Sequence, residues 1–429
     1  MAPNHTVVYL DAITGDFLNG APENSSVDTG GPASDLALDR RAGVLYAASP
    51  YDNGLVVLLD AATPTYVNGS LADSTFHVAT DGYNIAVNSA AGIVYVTDTD
   101  FPLSTSGVIK YLHGLTAEEY SPGPSTATPV GRGPSAVAVD TNVGIVYVAN
   151  RDDDTVTYLD AASRAYLNGS RSASTFAVGD APEAVAVNPG AGILYVANST
   201  DGTVTFLDAV TGAYTNGTLA NSSFAVGSGP RALAVDPSAG ILYVANSADG
   251  TVTYLDAATG AYRNGTLQNS SFVVGSDPRA LAVDPSAGIL YVANFSDGTV
   301  TYLDATTGDY VNGTMANSTF AVERWPTAVA VDSGAGLLYV ANRRDGTVTY
   351  RDAATGAYAN GTLADSTFFA GYSPSGIAVD PTEGIVYVTN ATRNTVTSLD
   401  ATTGAGLPVF LTLPTGTLPS AVAVMPPLD

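Results

Sequence analysis

Residues 229–276 read GPRALAVDPSAGILYVANSADGTVTYLDAATGAYRNGTLQNSSFVVGS, and the fold follows from this stretch of 48 residues. Turn residues cut it into four strand-sized pieces. RALAVD alternates small Ala with Leu and Val. GILYVAN is almost continuously apolar, as a strand covered on both faces must be. TVTYLD is β-branched and aromatic, and NSSFVV is shorter and more polar. DPSAG and DAATG between them are turn sequences, in which Asp accepts local backbone N–H bonds and Gly supplies positive φ.

The stretch recurs. Tyr-Val-Ala-Asn stands at 147–150, 195–198, 243–246, 291–294 and 339–342, and Tyr-Val-Thr-Asn at 387–390, always 48 residues apart. Weaker copies begin at Tyr46 and Tyr95. Such a period marks a solenoid, propeller or array. Four short antiparallel strands per period fit a propeller blade, with the Ala-rich strand nearest the crowded axis. No window shows the 3.6-residue apolar period of a helical solenoid.

The words LYVAN, DGTVTYLDAATG and PxAVAVD resemble the YVTN-family β-propeller repeat, spelled out in full by Tyr387-Val388-Thr389-Asn390. The resemblance spans nearly the whole chain. It implies a propeller fold and, because many relatives are archaeal or bacterial surface and surface-layer proteins, an extracellular or cell-surface setting. It implies no reaction, since one superfold hosts many functions.

The expected architecture is therefore all-β: residues 1–429 form a single β-propeller domain of four-stranded antiparallel blades. The first-type strand occurs nine times, and so does the third type, from Thr6-Val7-Val8-Tyr9 onward. The second type occurs eight times. The chain thus opens on a third strand and closes on a first, Ser420-Ala421-Val422-Ala423-Val424, and pairing the two ends would close a ring and protect its edges. Nine blades are the favoured count and eight the alternative. A chain cut from a longer polypeptide is a third possibility.

Composition narrows the chemistry. The 429 residues include no Cys, one Lys and three His (His5, His77, His113), with a formal charge of −25. A disulfide framework, a Cys-ligated metal and a thiol nucleophile are excluded, and a nucleic-acid surface is not expected. No apolar run approaches the length of a membrane helix, so no membrane insertion is expected. The start, MAPNHTVVYL, has no basic segment leading into an apolar one, and no signal peptide is expected within the chain.

Comparison among the internal copies locates variation. The loops after the second strand differ (RDDD, STDG, SADG, FSDG, RRDG, ATRN), as do the links into the next first strand (GDAPE, GSGPR, GSDPR, ERWPT, GYSPS). DPSAG and LDAATG hardly change. In an antiparallel blade both variable segments open on one rim. Trp325, the only Trp, lies there with Arg324, Arg343 and Arg344, and Phe295 and Tyr372 belong to the flanking blades. Aromatic and Arg side chains are common binding anchors, so these six residues form the candidate ligand site. In the competing reading Trp325 fills a gap between blades and the Arg neutralise Glu323 and Asp345. The recurrent Asp are read as turn residues. Asp152 and Asp153 beside Asp201 come nearest to a calcium site, but no metal or cofactor is expected.

Asn-x-Ser/Thr occurs at Asn4, Asn24, Asn68, Asn168, Asn198, Asn216, Asn221, Asn264, Asn269, Asn294, Asn312, Asn317, Asn360 and Asn390, each a candidate N-glycan acceptor. The NGT and NGS copies fall between third and fourth strands, opposite the variable rim. With near-identical blades and no Ser–His–Asp arrangement, the chain is expected to be a non-catalytic, extracellular interaction module with a surface protein or glycan as partner. A self-assembling structural subunit of a surface layer or filament is the first alternative. A propeller enzyme of lactonase or quinoprotein type is the second.

Overall fold

The computed structural model describes residues 127–380 continuously except for 162 and 164, and outside that span Ala401 and the backbone of individual strands. It is all-β, and the described residues form eight four-stranded sheets and one two-stranded sheet arranged as propeller blades. Each four-stranded sheet follows chain order, so a blade is three successive hairpins. The two-stranded sheet pairs Thr6–Val8 with Ser26–Asp28, the third- and fourth-strand positions of a ninth copy. The proposed closing strand at 420–424 lies outside the described residues.

In the copy quoted above the strands are Pro230–Asp236, Ile241–Asn246, Thr251–Asp256 and Ser271–Val273. The fourth is half the length that its sequence suggests. Gln268–Ser270 forms a single helical turn instead, and in the preceding copy Leu219–Ser222 does the same, with Thr218 as its N-cap. Pro230 pairs with Asn246 across a bulge, after which Ala232 meets Ala245. A Pro without an N–H is tolerated at such a position.

The chain divides into two compact units, Ser104–Val108 with Thr128–Pro326, and Met1–Leu103 with Ile109–Ala127 and Thr327–Asp429. The first holds four consecutive blades whose packing explains the repeat. Tyr243 lies opposite Tyr254, and Val252 opposite Phe272. One face of the sheet thus carries Ile241, Tyr243, Val252, Tyr254 and Phe272, and it packs on Leu290, Val292, Leu303 and Val283 of the next blade. An aromatic face meets an aliphatic one at each such junction. The rings meet edge to face, with Tyr243–Tyr254 centroids 4.8 Å and Tyr254–Phe272 centroids 4.9 Å apart. Since both faces of a blade are covered, all six residues of Ile241–Asn246 are buried.

Tyrosine hydroxyls stitch these junctions. Tyr243 donates to the carbonyl of Ala305 (2.8 Å) and Tyr254 to that of Asp304 (3.0 Å), both in the next blade. Tyr310 donates back to Val273 (2.9 Å). Within the blade the buried Asn246 amide donates to Thr251 and Thr253, and Thr253 bonds Ser271, which explains the terminal Asn of each YVAN and the Thr alternation of TVT. Asp236 and Asp256 accept from backbone N–H groups two and three residues on, closing the constant turns.

Gly260, in DAATG, has φ +72° and lies against the ring of Phe224 from the preceding blade, where a Cβ would collide with the ring. Gly265 has φ +84° and open space around it. Gly265→Ala therefore costs about 1–2 kcal/mol through backbone strain alone. Gly260→Ala adds a clash and loses roughly 3 kcal/mol or more, a gap that urea denaturation of the two variants measures.

The pH limits follow from the same groups. Burial pushes the Asp208 and Asp256 carboxyls up, but hydrogen bonds from Thr211 and Thr259 outweigh it and hold both below the usual carboxylate value. Their contribution is complete above about pH 4 and is lost as pH falls through the lowered folded values. Burial pushes the Tyr195 phenol up to about 12, and Tyr147, Tyr158 and Tyr243 shift the same way. The neutral phenols stabilise the fold fully below about pH 10, and this is lost as pH rises through the folded values. The part of the tyrosinate absorbance that these buried phenols contribute is expected to rise together with loss of β-sheet circular dichroism, not before it.

Candidate functional site

The variable rim is built on a fixed backbone frame. In the copy after Ile289–Asn294, the Phe295 N–H donates to the Asp277 carbonyl (3.0 Å) and Ser296 N–H to Ser276 (3.2 Å). Ser199 with Ala181, and Ser247 with Gly229, repeat the first of these bonds. Each loop after a second strand is thereby zipped to the link that precedes its own blade. A carboxylate staples the pair: Asp297 accepts from Ser276 N–H (2.7 Å), Asp249 from Ser228 (2.6 Å) and Asp201 from Asp180 (2.8 Å). These aspartates serve turns, as their repetition suggests.

Asp153 occupies the same place. Its carboxylate accepts the Arg132 backbone N–H at 2.8 Å and forms an ion pair with the Arg132 guanidinium at 2.5 Å. Asp153 and Asp201, two members of the calcium candidate, are thus each committed to a separate staple. Among the described residues no group of three His, Cys, Asp or Glu is placed to hold a metal ion.

On this frame the residue after each YVAN and the residue before each Pro project from the rim. The structure joins two predicted residues there: the rings of Phe295 and Trp325 stack with centroids 5.4 Å apart and planes at 19°. On Phe295 also lies the Arg279 guanidinium, 3.5 Å from the ring centroid. Arg279 is held by Asp277 through contacts of 2.7–3.1 Å. Trp325 is 39% exposed. Its φ is +61°, a left-handed conformation that the equivalent Gly229 adopts at +65° without strain. A side chain there costs about 1–2 kcal/mol.

Arg279 and Asp277 were not singled out by the sequence. Arg231 follows the equivalent Pro of the preceding copy, so Arg279 reads as ordinary repetition. The available signal is the pairing of Asp277 with Phe295, since only that copy has both. Arg324 is exposed. Arg343, Arg344 and Tyr372 belong to the other compact unit. There Tyr372, 51% exposed, meets Phe369 edge to face at 5.7 Å, Arg344 is exposed and Arg343 half-buried.

The sequons separate by environment. Asn168, Asn216, Asn221, Asn264, Asn269, Asn312, Asn317 and Asn360 are exposed. Asn198 and Asn294 are fully buried, and their amides donate to Thr203 and Thr205, and to Thr299 and Thr301. Asn4, Asn24, Asn68 and the side chain of Asn390 lie outside the described residues.

The family described as Lactonase, 7-bladed beta-propeller matches residues 266–417. That span includes Phe295, Trp325, Arg279 and the other four predicted rim residues. Among solved structures, the chain resembles Kuenenia stuttgartiensis hydrazine synthase at 17% identity, with a TM-score of 0.50, over 75% of this chain and 96% of that one. It also resembles a putative 6-phosphogluconolactonase from Bacteroides fragilis at 16% identity and a TM-score of 0.48, over 73% and 92%. No curated protein sequence matches. At 17% identity the likeness to hydrazine synthase speaks for the fold alone.

The family match, over about a third of the chain, corrects two expectations. The reading as a non-catalytic interaction module, and with it the expectation that the chain is not an enzyme, is contradicted by a match that points to the second alternative above, a propeller of lactonase type. The physical reason for the miss is that repeated strands dominate the pattern, while the loops that would carry a reaction differ in single residues of no shared motif. The YVTN and surface-protein associations are narrower than this match, which supports the propeller.

Because Trp325 is the sole Trp, its emission reports the rim directly. Acrylamide is expected to quench it in the folded protein, though less than in urea because Phe295 covers one face of the ring. Trp325→Gly relieves the left-handed strain while removing the stack on Phe295, so the melting temperature is expected to change by less than the few degrees that a lost core residue causes.

Proposed function

We propose that the chain is a lactonase-type hydrolase that opens a cyclic ester on the variable rim. The observation that carries this reading is the match over residues 266–417, because it falls on the blades where the rim residues diverge most from their copies. The reaction adds water to the lactone carbonyl and breaks the ring C–O bond. The ring oxygen leaves as a hydroxyl, and at neutral pH the new carboxylic acid releases one proton.

The rim chemistry suits such a substrate in two respects. The exposed Trp325 face, backed by Phe295, offers a flat apolar support for a small ring. Arg324 brings an exposed guanidinium to a chain of net charge −25, where a carbonyl oxygen gains negative charge and a carboxylate is left behind, while Arg279, paired with Asp277, offers N–H groups beside the stack. Asp277 orients Arg279 through its ion pair and so acts as a positioning residue.

The test is proton release by the purified full chain with γ- and δ-lactones of small acids, followed in a weakly buffered indicator assay. Hydrolysis well above the buffer rate is expected. Trp325→Gly should lower kcat/KM about tenfold or more, in line with losing one ring-stacking contact of ~1.4 kcal/mol. Arg324→Ala should lower it as well. Rates equal to buffer with every lactone would overturn the reading.

A further inference from the structure

We propose that the loops between third and fourth strands are acceptor sites for asparagine-linked oligosaccharide, at Asn168, Asn216, Asn264, Asn312 and Asn360. The modification would stand on the end of the blades away from the rim, and it does not depend on the lactonase reading.

The sequence offers fourteen candidate triplets, and the structure ranks those that it describes. Asn216, Asn264, Asn312 and Asn360 each precede a Gly with φ between +79° and +87° and open space where a Cβ would stand. The Asn and the third-position Thr218, Thr266, Thr314 and Thr362 are all exposed. A transferase therefore meets both halves of the Asn-Gly-Thr signal on an uncrowded turn.

The neighbouring triplets at Asn221, Asn269 and Asn317 are less open. Their third-position hydroxyls, on Ser223, Ser271 and Thr319, are tied to Thr205, Thr253 and Thr301 at 3.0 Å inside the sheet. Their middle residues Ser222, Ser270 and Ser318 are fully buried. Asn198 and Asn294 are excluded outright, since both are fully buried and a sugar would replace one of the two N–H groups that bond threonine inside the sheet.

The chemistry leaves the turn intact. The Asn Nδ2 forms a bond to the anomeric carbon of a lipid-linked oligosaccharide diphosphate. The carbon–oxygen bond to the diphosphate breaks, the lipid diphosphate leaves with the electron pair, and one amide proton passes to the transferase. One N–H remains on Nδ2. That is what Asn216 needs to keep its bond to the Asn221 carbonyl (3.1 Å), and Asn264 its bond to Asn269 (3.0 Å).

The direction of the blade separates the sugars from the rim. The Ala257 N–H bonds the Gly240 carbonyl, which puts the start of the third-to-fourth loop beside the constant DPSAG turn. The Ser247 N–H bonds Gly229, which puts the other loop with the variable link. Glycans on the first set leave the second open.

Glycopeptide mass spectrometry of the full-length protein purified from its own cells tests the proposal. Sugar is expected on peptides holding Asn216, Asn264, Asn312 or Asn360, and none on those holding Asn198 or Asn294. Thr266→Val should remove the sugar from Asn264 alone, with lactone hydrolysis unchanged. Unmodified masses for the peptides holding Asn168, Asn216, Asn264, Asn312 and Asn360 would overturn the proposal, as would sugar on Asn198 or Asn294 in the folded protein. Neither result bears on lactone hydrolysis.

Discussion

The junction between blades is the interaction on which the rest depends. A four-stranded sheet of this composition cannot bury both of its faces alone. Its aromatic face, carrying Tyr243, Tyr254 and Phe272, needs the aliphatic face that Leu290, Val292 and Leu303 supply. Large aromatic side chains contribute most of the apolar area. Tyrosine adds a polar tip that must find a partner when buried. Here the partner is a carbonyl of the neighbour's turn, so each tyrosine both fills the junction and fixes its angle. This double requirement restricts the repeat to Tyr at YVAN. The third-strand position is freer: Leu58, Phe206 and Ser398 stand opposite Tyr46, Tyr195 and Tyr387, and Phe206 keeps its edge-to-face contacts with Tyr195 and Phe224.

A rigid junction permits variation elsewhere. The loop–link ladder and its Asp staple settle the rim backbone with bonds that do not depend on which side chains project from it. Ser199, Ser247 and Phe295 occupy one structural position, as do Ala181, Gly229, Asp277 and Trp325. Copying the strand unit therefore reproduces a scaffold, and single substitutions at two positions per blade are enough to differentiate a binding surface. The strain at Trp325 belongs to this logic. Ala181, Asp277 and Ser373 hold the same left-handed backbone at φ 54–56°, so the repeat carries this strain whatever the side chain, and what sets Trp325 apart is its ring and the stack on Phe295.

Much of this was legible in the sequence, and the limits have physical causes. Strand boundaries followed from turn chemistry, because Asp and Gly at DPSAG and DAATG act locally through Asx bonds and positive φ. The burial of YVAN on both faces followed from its unbroken apolar run. The short fourth strand did not, because Ser270 and Ser271 look alike in sequence. One is buried and bonds the Asn264 N–H, while the other bonds Thr253. The close fit of Phe224 on Gly260 joins different blades, so no local pattern announces it. At the rim, Phe295 and Trp325 were visible as departures from repetition. Arg279 was hidden because its departure lies in its partners and not in its identity.

The proposed reaction was the least legible part, for a chemical reason that also bears on how it would proceed. Recognising an enzyme from sequence relies on residues of unusual reactivity, and this chain offers three His, no Cys and near-identical carboxylates. Lactone opening asks less than amide hydrolysis, since the carbonyl is an ester and the leaving oxygen stays tethered to the product. A site that holds a small ring flat and balances the charge of a developing carboxylate could supply much of the catalysis by positioning and electrostatics. Such a site is assembled from aromatic and guanidinium groups, the same types that binding surfaces use. What distinguishes the two at this rim is therefore the arrangement of the groups, with the Phe295–Trp325 stack and the Arg279–Asp277 pair meeting on one segment.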